Sequence, residues 1–167
     1  MKKLLLFLKL FLFTLCSAQF IEVSPYEWNS TIDTSAFDGI KRDAFIVGTS
    51  DYVSNPVLIV NRIGDSFIRV YITSLESVNG DATVYIKFDS EDTIYELSAI
   101  YTFLYTFIPG NGYVIRFHSQ LLSIENFINK LKTKNTLYIR LANQHFFIDQ
   151  IDFTLNGADE ALEILEK

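Results

Sequence analysis

The sequence predicts a mainly β protein, an antiparallel β-sandwich of about eight strands with one inserted helix and a short C-terminal helix. Three observations predict this class. Short apolar runs recur between regular turn signals, several runs alternate apolar and polar residues, and helical periodicity is confined to two places. This close spacing of strands favours a sandwich over alternating βαβ units.

Residues 1–18 are typical of an export signal and are set aside from the fold. Met1–Lys3 is a short basic region, a Leu- and Phe-rich run follows, and Cys16 and Ala18 supply small residues at a cleavage site. We expect cleavage after Ala18 and a mature chain that is periplasmic or secreted. Lipidation of Cys16 is the alternative, which Leu15 disfavours because a lipoprotein signal places a small residue before its cysteine.

Composition narrows the classes of function. Removal of the leader takes away three lysines and no acid, so the formal charge changes from −6 to −9. The mature chain keeps no cysteine, which excludes disulfides and thiol chemistry. The acidic balance argues against nucleic acid and anionic lipid surfaces as partners. No second apolar run is long enough to span a bilayer, so we expect no transmembrane span in the mature chain.

The first predicted elements follow an N-terminal segment in which apolar residues show no regular spacing. Residues 19–42 hold many short polar residues, so we predict an irregular segment, attached to the domain by Trp28 and Phe37. Residues 43–167 form the single predicted domain. Its strand at Val57–Val60 is apolar on both faces, which indicates cover from both sides. The other early strands are predicted at Ala44–Val47, Phe67–Thr73 and Thr83–Asp89.

The later elements begin with a run that is too long for one typical strand. Thr93–Phe107 is rich in Ile, Tyr, Phe and Thr, and we expect it to be split near Ser98 or bent by a bulge. Ser123 is predicted to cap a helix whose apolar residues recur at steps of three and four. The remaining elements are predicted at Tyr113–His118, Leu137–Leu141, Phe146–Leu155 with a bulge near Asp149, and a helix at Ala158–Glu166.

Four aromatic residues of the long run share one side of a strand and form the candidate binding surface. They are Tyr101, Phe103, Tyr105 and Phe107. If this stripe is exposed, it offers a platform for a sugar or a peptide. The alternative is core packing against the helix, which aromatic alternation in a sheet favours.

Few residues point to catalysis or to a metal. His118, Ser119 and Asp149 lack the spacing of a hydrolase triad, and no nucleophile elbow occurs. The acidic turn Asp89–Asp92 has oxygen ligands that suit calcium, yet it lacks the order of an EF-hand loop. A solvated hairpin turn is the preferred interpretation. We therefore predict no catalytic residue, no cofactor and no metal site.

The second half of the chain follows a definite order of motifs. A strand ends in Ile86–Asp89, a helix spans Ile124–Leu131, a strand ends in Arg140, and Ile151–Gly157 leads into an Ala-containing helix. This order resembles the accessory periplasmic VasI/TagO-like proteins of type VI secretion over about residues 43–165. The resemblance implies their fold more than a secretion role, because members carry cysteines near the early strand and the C-terminus that the mature chain lacks.

The sequence favours an exported, non-enzymatic β-sandwich module that binds a protein or a cell-envelope component. Export, the all-β pattern and the lack of a catalytic constellation favour this function. Two alternatives stay open: a secreted glycan hydrolase that uses paired carboxylates, and a purely structural accessory protein of an envelope machine. Two acids facing one cleft would favour the hydrolase, and an exposed aromatic face would favour binding.

Overall fold

The strands of the computed structural model follow one another in the order of the predicted runs. The structure describes residues 26–35, 39–51, 53–64, 67–73, 80–104, 110–144 and 147–167. In this part of the chain the strands are β1 (Asn29–Ser35), β2 (Gly39–Val47), β3 (Val57–Ile63), β4 (Phe67–Thr73), β5 (Ala82–Phe88), β6 (Tyr95–Leu104), β7 (Gly110–Arg116), β8 (Thr136–Ala142) and β9 (Phe147–Thr154). The helices are α1 (Ile124–Thr133) and α2 (Ala158–Leu162), and a 3₁₀ turn follows at Glu163–Leu165. The predicted fold class is confirmed.

The described strands belong to one antiparallel sheet in the order β1-β2-β3-β4-β7-β6-β5-β8-β9. β6 changes its partner along its length, because residues 95–99 pair with β5 whereas residues 98–104 pair with β7. Over its described residues the long predicted run forms one continuous strand, Tyr95–Leu104, so the predicted split or bulge near Ser98 is wrong. The change of partner falls at this position instead. β6 thus belongs to both halves of the sheet, which pack around a shared core.

The two ends of the sheet are joined by a backbone bridge. Thr49, which follows β2, donates its N–H to the Asp152 carbonyl of β9 at 2.9 Å, and Asp152 donates back to the Thr49 carbonyl at 2.8 Å. Trp28 Nε1 donates to the Thr154 carbonyl at 3.1 Å, and its ring packs against the core. The predicted attachment through Trp28 is confirmed, whereas Phe37 lies outside the described residues.

The N-terminal segment differs from its prediction. Residues 19–42 are predicted to be irregular, yet the described part of this segment forms β1 and the start of β2 at Gly39. β1 is the terminal strand of the sheet, and most of its side chains are exposed. Backbone hydrogen bonds to β2 hold this edge strand in the sheet. Its sequence therefore needs no alternation of apolar and polar residues, and periodicity does not predict it.

The core confirms the predicted strand faces. Val84, Ile86 and Phe88 of β5 are fully buried, as their alternation predicts. Val57–Val60 of β3 is buried on both faces, also as predicted. α1 closes the core from one side, and the ring centroid of Phe127 lies 5.8 Å from that of Phe88. Burial of these apolar side chains is the main contribution to the stability of a cysteine-free domain.

Both helices begin as the sequence predicts. The Ser123 hydroxyl accepts the Asn126 N–H at 3.1 Å and so caps α1. Lys130 and Lys132 lie in the last turn of α1, where positive charge stabilises the helix dipole. α2 begins after Gly157, whose φ of 82° lies in the left-handed region. Glycine adopts this conformation without steric cost.

We expect Gly157→Val to lower the free energy of unfolding by about 1–2 kcal/mol, because a left-handed backbone strains residues that have a Cβ atom. Apart from its two chain neighbours, no described residue has an atom within 4 Å of the place that a Cβ would occupy, so backbone strain and not a clash causes the loss. Urea denaturation measures the effect. Gly157→Asn is the control, since asparagine tolerates this backbone better, and equal losses for the two variants would contradict the explanation.

Candidate binding surface

β5 and β8 contain the same three-residue pattern of tyrosine, isoleucine and a basic residue, at positions 85–87 and 138–140. The two strands are antiparallel neighbours, so the pattern runs in opposite directions on them. The register pairs are Tyr85–Arg140, Ile86–Ile139 and Lys87–Tyr138. Both isoleucines are buried in the core, which places the other four side chains on the outer side of the sheet. We name Tyr85, Lys87, Tyr138 and Arg140 the Tyr–cation face.

The Tyr–cation face forms the floor of an open cavity of about 600 Å³. The two tyrosines are half-buried and the two cations are exposed. In an antiparallel pair, diagonal neighbours such as Lys87 and Arg140 lie about 7–8 Å apart. The cavity walls include Ile94 and Glu96 on one side and Gln150 on the other.

Several polar side-chain groups that line this cavity form no hydrogen bond or ion pair with other described residues. Among the described residues, the hydroxyls of Tyr85 and Tyr138 and the ammonium of Lys87 have no hydrogen-bond or ion-pair partner, and neither has the Glu96 carboxylate. The Arg140 guanidinium lies over the Phe147 ring, 5.4 Å from its centroid. Lys87 and Glu96 are exposed, so a ligand can replace the water around their charged groups.

A bulge in β9 lies opposite Arg140. The register between β8 and β9 shifts between Ile139 and Leu141, so Arg140 faces two residues of β9, 149 and 150. This confirms the bulge predicted near Asp149. Bulges bend a strand, re-aim its side chains and are frequent next to functional sites. Here the bulged stretch contributes Gln150 to the cavity wall.

The acids that flank the Tyr–cation face lie far apart. Glu96 is on β6 and Asp152 is on β9, and β5 and β8 separate these strands. Three strand spacings of about 4.8 Å put the two carboxylates roughly 14 Å from each other. Glycosidases that use paired carboxylates hold them about 5–10 Å apart. Glu96 and Asp152 therefore do not form the pair that the hydrolase alternative requires.

Two residues of the predicted aromatic stripe, Tyr101 and Phe103, are described, and they share the side of β6 that holds the buried Leu97 and Ala99. Tyr101 packs against the core, and its ring centroid is 5.6 Å from that of Tyr113. Phe103, near the end of the strand, is 49% exposed. Tyr105 and Phe107 lie outside the described residues. Tyr101 thus follows the core alternative, and burial along the stripe decreases toward Phe103.

The Asp89 carboxylate binds the connection between α1 and β8. Its Oδ1 accepts the N–H of Asn135 at 2.9 Å and the N–H of Thr136 at 3.0 Å, and its Oδ2 accepts from the Asn135 side chain. The hydrogen bond from Thr136, together with those from Asn135, holds the pKa of Asp89 below its usual value despite partial desolvation. Asp89 therefore has a structural role in the turn.

Glu91 and the lysines of α1 complete the same turn. The Glu91 carboxylate pairs with Lys130 and with Lys134, the latter at 3.1 Å. The hydrogen bond from Lys130 lowers the pKa of Glu91. Within the described ranges, no group of three or more His, Cys, Asp or Glu side chains could hold a metal ion. The acidic turn thus fastens α1 to the strands beneath it.

We expect the free energy of unfolding to decrease as the pH falls below about 4, partly through Asp89. A carboxyl group with a lowered folded-state pKa is protonated first in the unfolded chain, so its stabilisation is complete above the unfolded pKa and is lost as the pH falls through the folded one. Asp89→Asn should cost about 1 kcal/mol at neutral pH and flatten this acid dependence. Urea denaturation over a pH series measures both effects.

The control is Asp92→Asn, which neutralises a neighbouring exposed carboxylate that has no partner among the described residues. Burial raises the pKa of Asp43 and acts in the opposite direction, so each variant is compared with the parent chain at every pH. An acid dependence that Asp89→Asn leaves unchanged would contradict the assignment.

His118 has a local role in the turn before α1. Its Nδ1 accepts the Gln120 N–H at 3.4 Å, and its backbone pairs with that of Leu122. Ser119 is exposed beside it. No carboxylate contacts His118 in the part of the chain that the structure describes. The side chain of Asp149, the third residue of the triad considered from the sequence, lies outside the described part of the structure.

Comparison with protein families, with curated proteins and with solved structures finds no match for this chain. Neither α1 nor α2, the helices of the described residues, is long and apolar enough to cross a membrane. The fold and the surface define a mainly β module with an open tyrosine- and cation-lined face. The sequence analysis did not select this face as a site, although the repeated Tyr-Ile-basic pattern is a signal for it.

Proposed function

We propose that the chain is an exported, non-enzymatic binding module that attaches to a component of the cell envelope through the Tyr–cation face. The observation that supports the proposal is an open cavity at which the polar groups of Tyr85, Tyr138 and Lys87 have no partner among the described residues. Tyrosine offers a rigid ring and a polar hydroxyl, and Tyr and Arg are the residues most often found at binding hot spots. The predicted leader, residues 1–18, and the resemblance to VasI/TagO-like proteins favour the envelope as the place of binding.

The proposal is tested by sedimentation of the purified chain with cell-envelope material from its source organism. We expect saturable binding, no release of soluble fragments, and loss of binding in the double variant Tyr85→Ala/Tyr138→Ala. Arg69→Gln is the matched control, because it removes an exposed cation from β4, away from the Tyr–cation face. Circular dichroism establishes that each variant is folded.

Two outcomes would contradict the proposal. Release of sugars or peptides from the envelope material would favour the hydrolase alternative. Binding that is absent, or that the double variant retains in full, would remove the Tyr–cation face from the function and favour a structural role. Export is tested separately, by recovery of the chain with Gln19 as its N-terminus.

A further inference from the structure

We infer that the Tyr–cation face binds an acidic glycan, that is, a chain of sugar rings with carboxylate groups. The inference rests on the proposed function, because it assumes that this face is the binding surface. Three features of the face support the inference. They are the position of its cations, the chemistry of its tyrosines, and the presence of two similar tyrosine–cation pairs.

The cations of the face stand out in an acidic chain, in which 14 Lys and Arg oppose 20 Asp and Glu. Lys87 and Arg140 occupy one diagonal of the face. The Arg140 guanidinium lies over Phe147 of β9, on the side of β8 away from β5, so each cation is placed to meet a separate anion. Glu96 and Asp152 lie on the flanking strands, outside this diagonal. The Asp152 carboxylate accepts the Gln150 amide at 2.7 Å. Each cation can therefore form a charge-assisted hydrogen bond with a carboxylate of the ligand.

The tyrosines of the face occupy the other diagonal. Each half-buried ring presents an apolar surface and ends in a hydroxyl that can donate and accept a hydrogen bond. The C–H faces of sugar rings pack on such a surface while sugar hydroxyls bond to the phenol. A peptide ligand typically anchors a large side chain in an enclosed apolar pocket. The cavity over Tyr85 and Tyr138 is open, and two paired strands form its floor, which suits a sugar chain better.

The two halves of the face are equivalent. The register places Tyr85 beside Arg140 and Tyr138 beside Lys87, so two tyrosine–cation pairs are related by an approximate two-fold axis between β5 and β8. The Phe147 ring under the Arg140 guanidinium extends the aromatic surface at one end. Two similar subsites suit a ligand that repeats a sugar ring and an acidic group. A repeating acidic glycan has this property.

Calorimetric titration of the purified chain with three polymers tests the inference. Polygalacturonate carries a carboxylate on its rings, its methyl ester has the same rings without charge, and polyglutamate has the charge without sugar. We expect binding to polygalacturonate alone, and weaker binding at raised salt. Lys87→Gln/Arg140→Gln should reduce the affinity at least tenfold, Tyr138→Phe several-fold, and Arg69→Gln not at all.

The other outcomes overturn the inference. Equal binding of the methyl ester would remove the role of charge, and equal binding of polyglutamate would identify an acidic peptide site instead. Polygalacturonate binding that the Lys87→Gln/Arg140→Gln variant retains would place the site elsewhere. If none of the polymers binds, the inference fails, while sedimentation with envelope material still decides the proposed function independently.

Discussion

Phe153→Ala is expected to lower the free energy of unfolding by about 3–5 kcal/mol. The Phe153 ring is fully buried in β9 and belongs to the main core. Its removal loses the transfer free energy of the ring and leaves a cavity that the surrounding sheet can fill only in part. Domains of this size have a total stability of about 5–15 kcal/mol, so the loss is a large fraction of the whole. Urea denaturation followed by circular dichroism measures it.

Phe147→Ala is the matched control, because Phe147 lies on the same strand with 56% of its surface exposed. Its loss should stay below about 1 kcal/mol, as for other exposed side chains. Similar losses for the two variants would show that the inward and outward sides of β9 are wrongly assigned.

Gly48→Ala is expected to cost about 3 kcal/mol, although it adds only one carbon atom. A Cβ atom at Gly48 would lie 2.6 Å from Cε1 of Phe153 and 2.7 Å from the backbone oxygen of Asp152. The ring can shift slightly, but the oxygen belongs to the β9 backbone, which must move away. This movement strains the adjacent bridge between Thr49 and Asp152. Urea denaturation again gives the loss.

The double variant Gly48→Ala/Phe153→Ala tests whether the close contact is the cause. Removal of the Phe153 ring relieves one of the two clashes of the new Cβ, so the double variant should lose less than the sum of the single losses. The clash with the Asp152 oxygen remains, so some loss from Gly48→Ala should persist. Strictly additive losses would argue against the contact.

The strands that could be predicted from the sequence are those with one buried face. Val84, Ile86 and Phe88 alternate because every second position of β5 faces the core. The edge strand β1 was not predicted, because most of its side chains are exposed and backbone pairing does not require apolar residues at every second position. Length alone predicted a break or a bulge in the run that forms β6, which was wrong, because β6 stays continuous while its pairing passes from β5 to β7.

The Tyr–cation face could not be predicted from periodicity, for a different reason. Alternation places Tyr85 and Lys87 on the outer side of β5, and Tyr138 and Arg140 on the outer side of β8. It does not reveal that β5 and β8 are neighbours, because β6, β7 and α1 come between them in the chain. Nor does alternation state which side of β6 faces the core, so the stripe with Tyr101 was kept as a candidate surface although core packing was the favoured alternative.

The bridge between Thr49 and Asp152 has a consequence for the order of folding. It joins positions about 100 residues apart, so the entropy of closing this long loop is lost before the contact can form. Because synthesis begins at the N-terminus, β2 and its neighbours emerge well before β9, and the ends of the sheet stay apart until synthesis is nearly complete. The amide protons of Thr49 and Asp152 should then exchange with solvent only as the sheet opens at this junction, which makes them reporters of that opening.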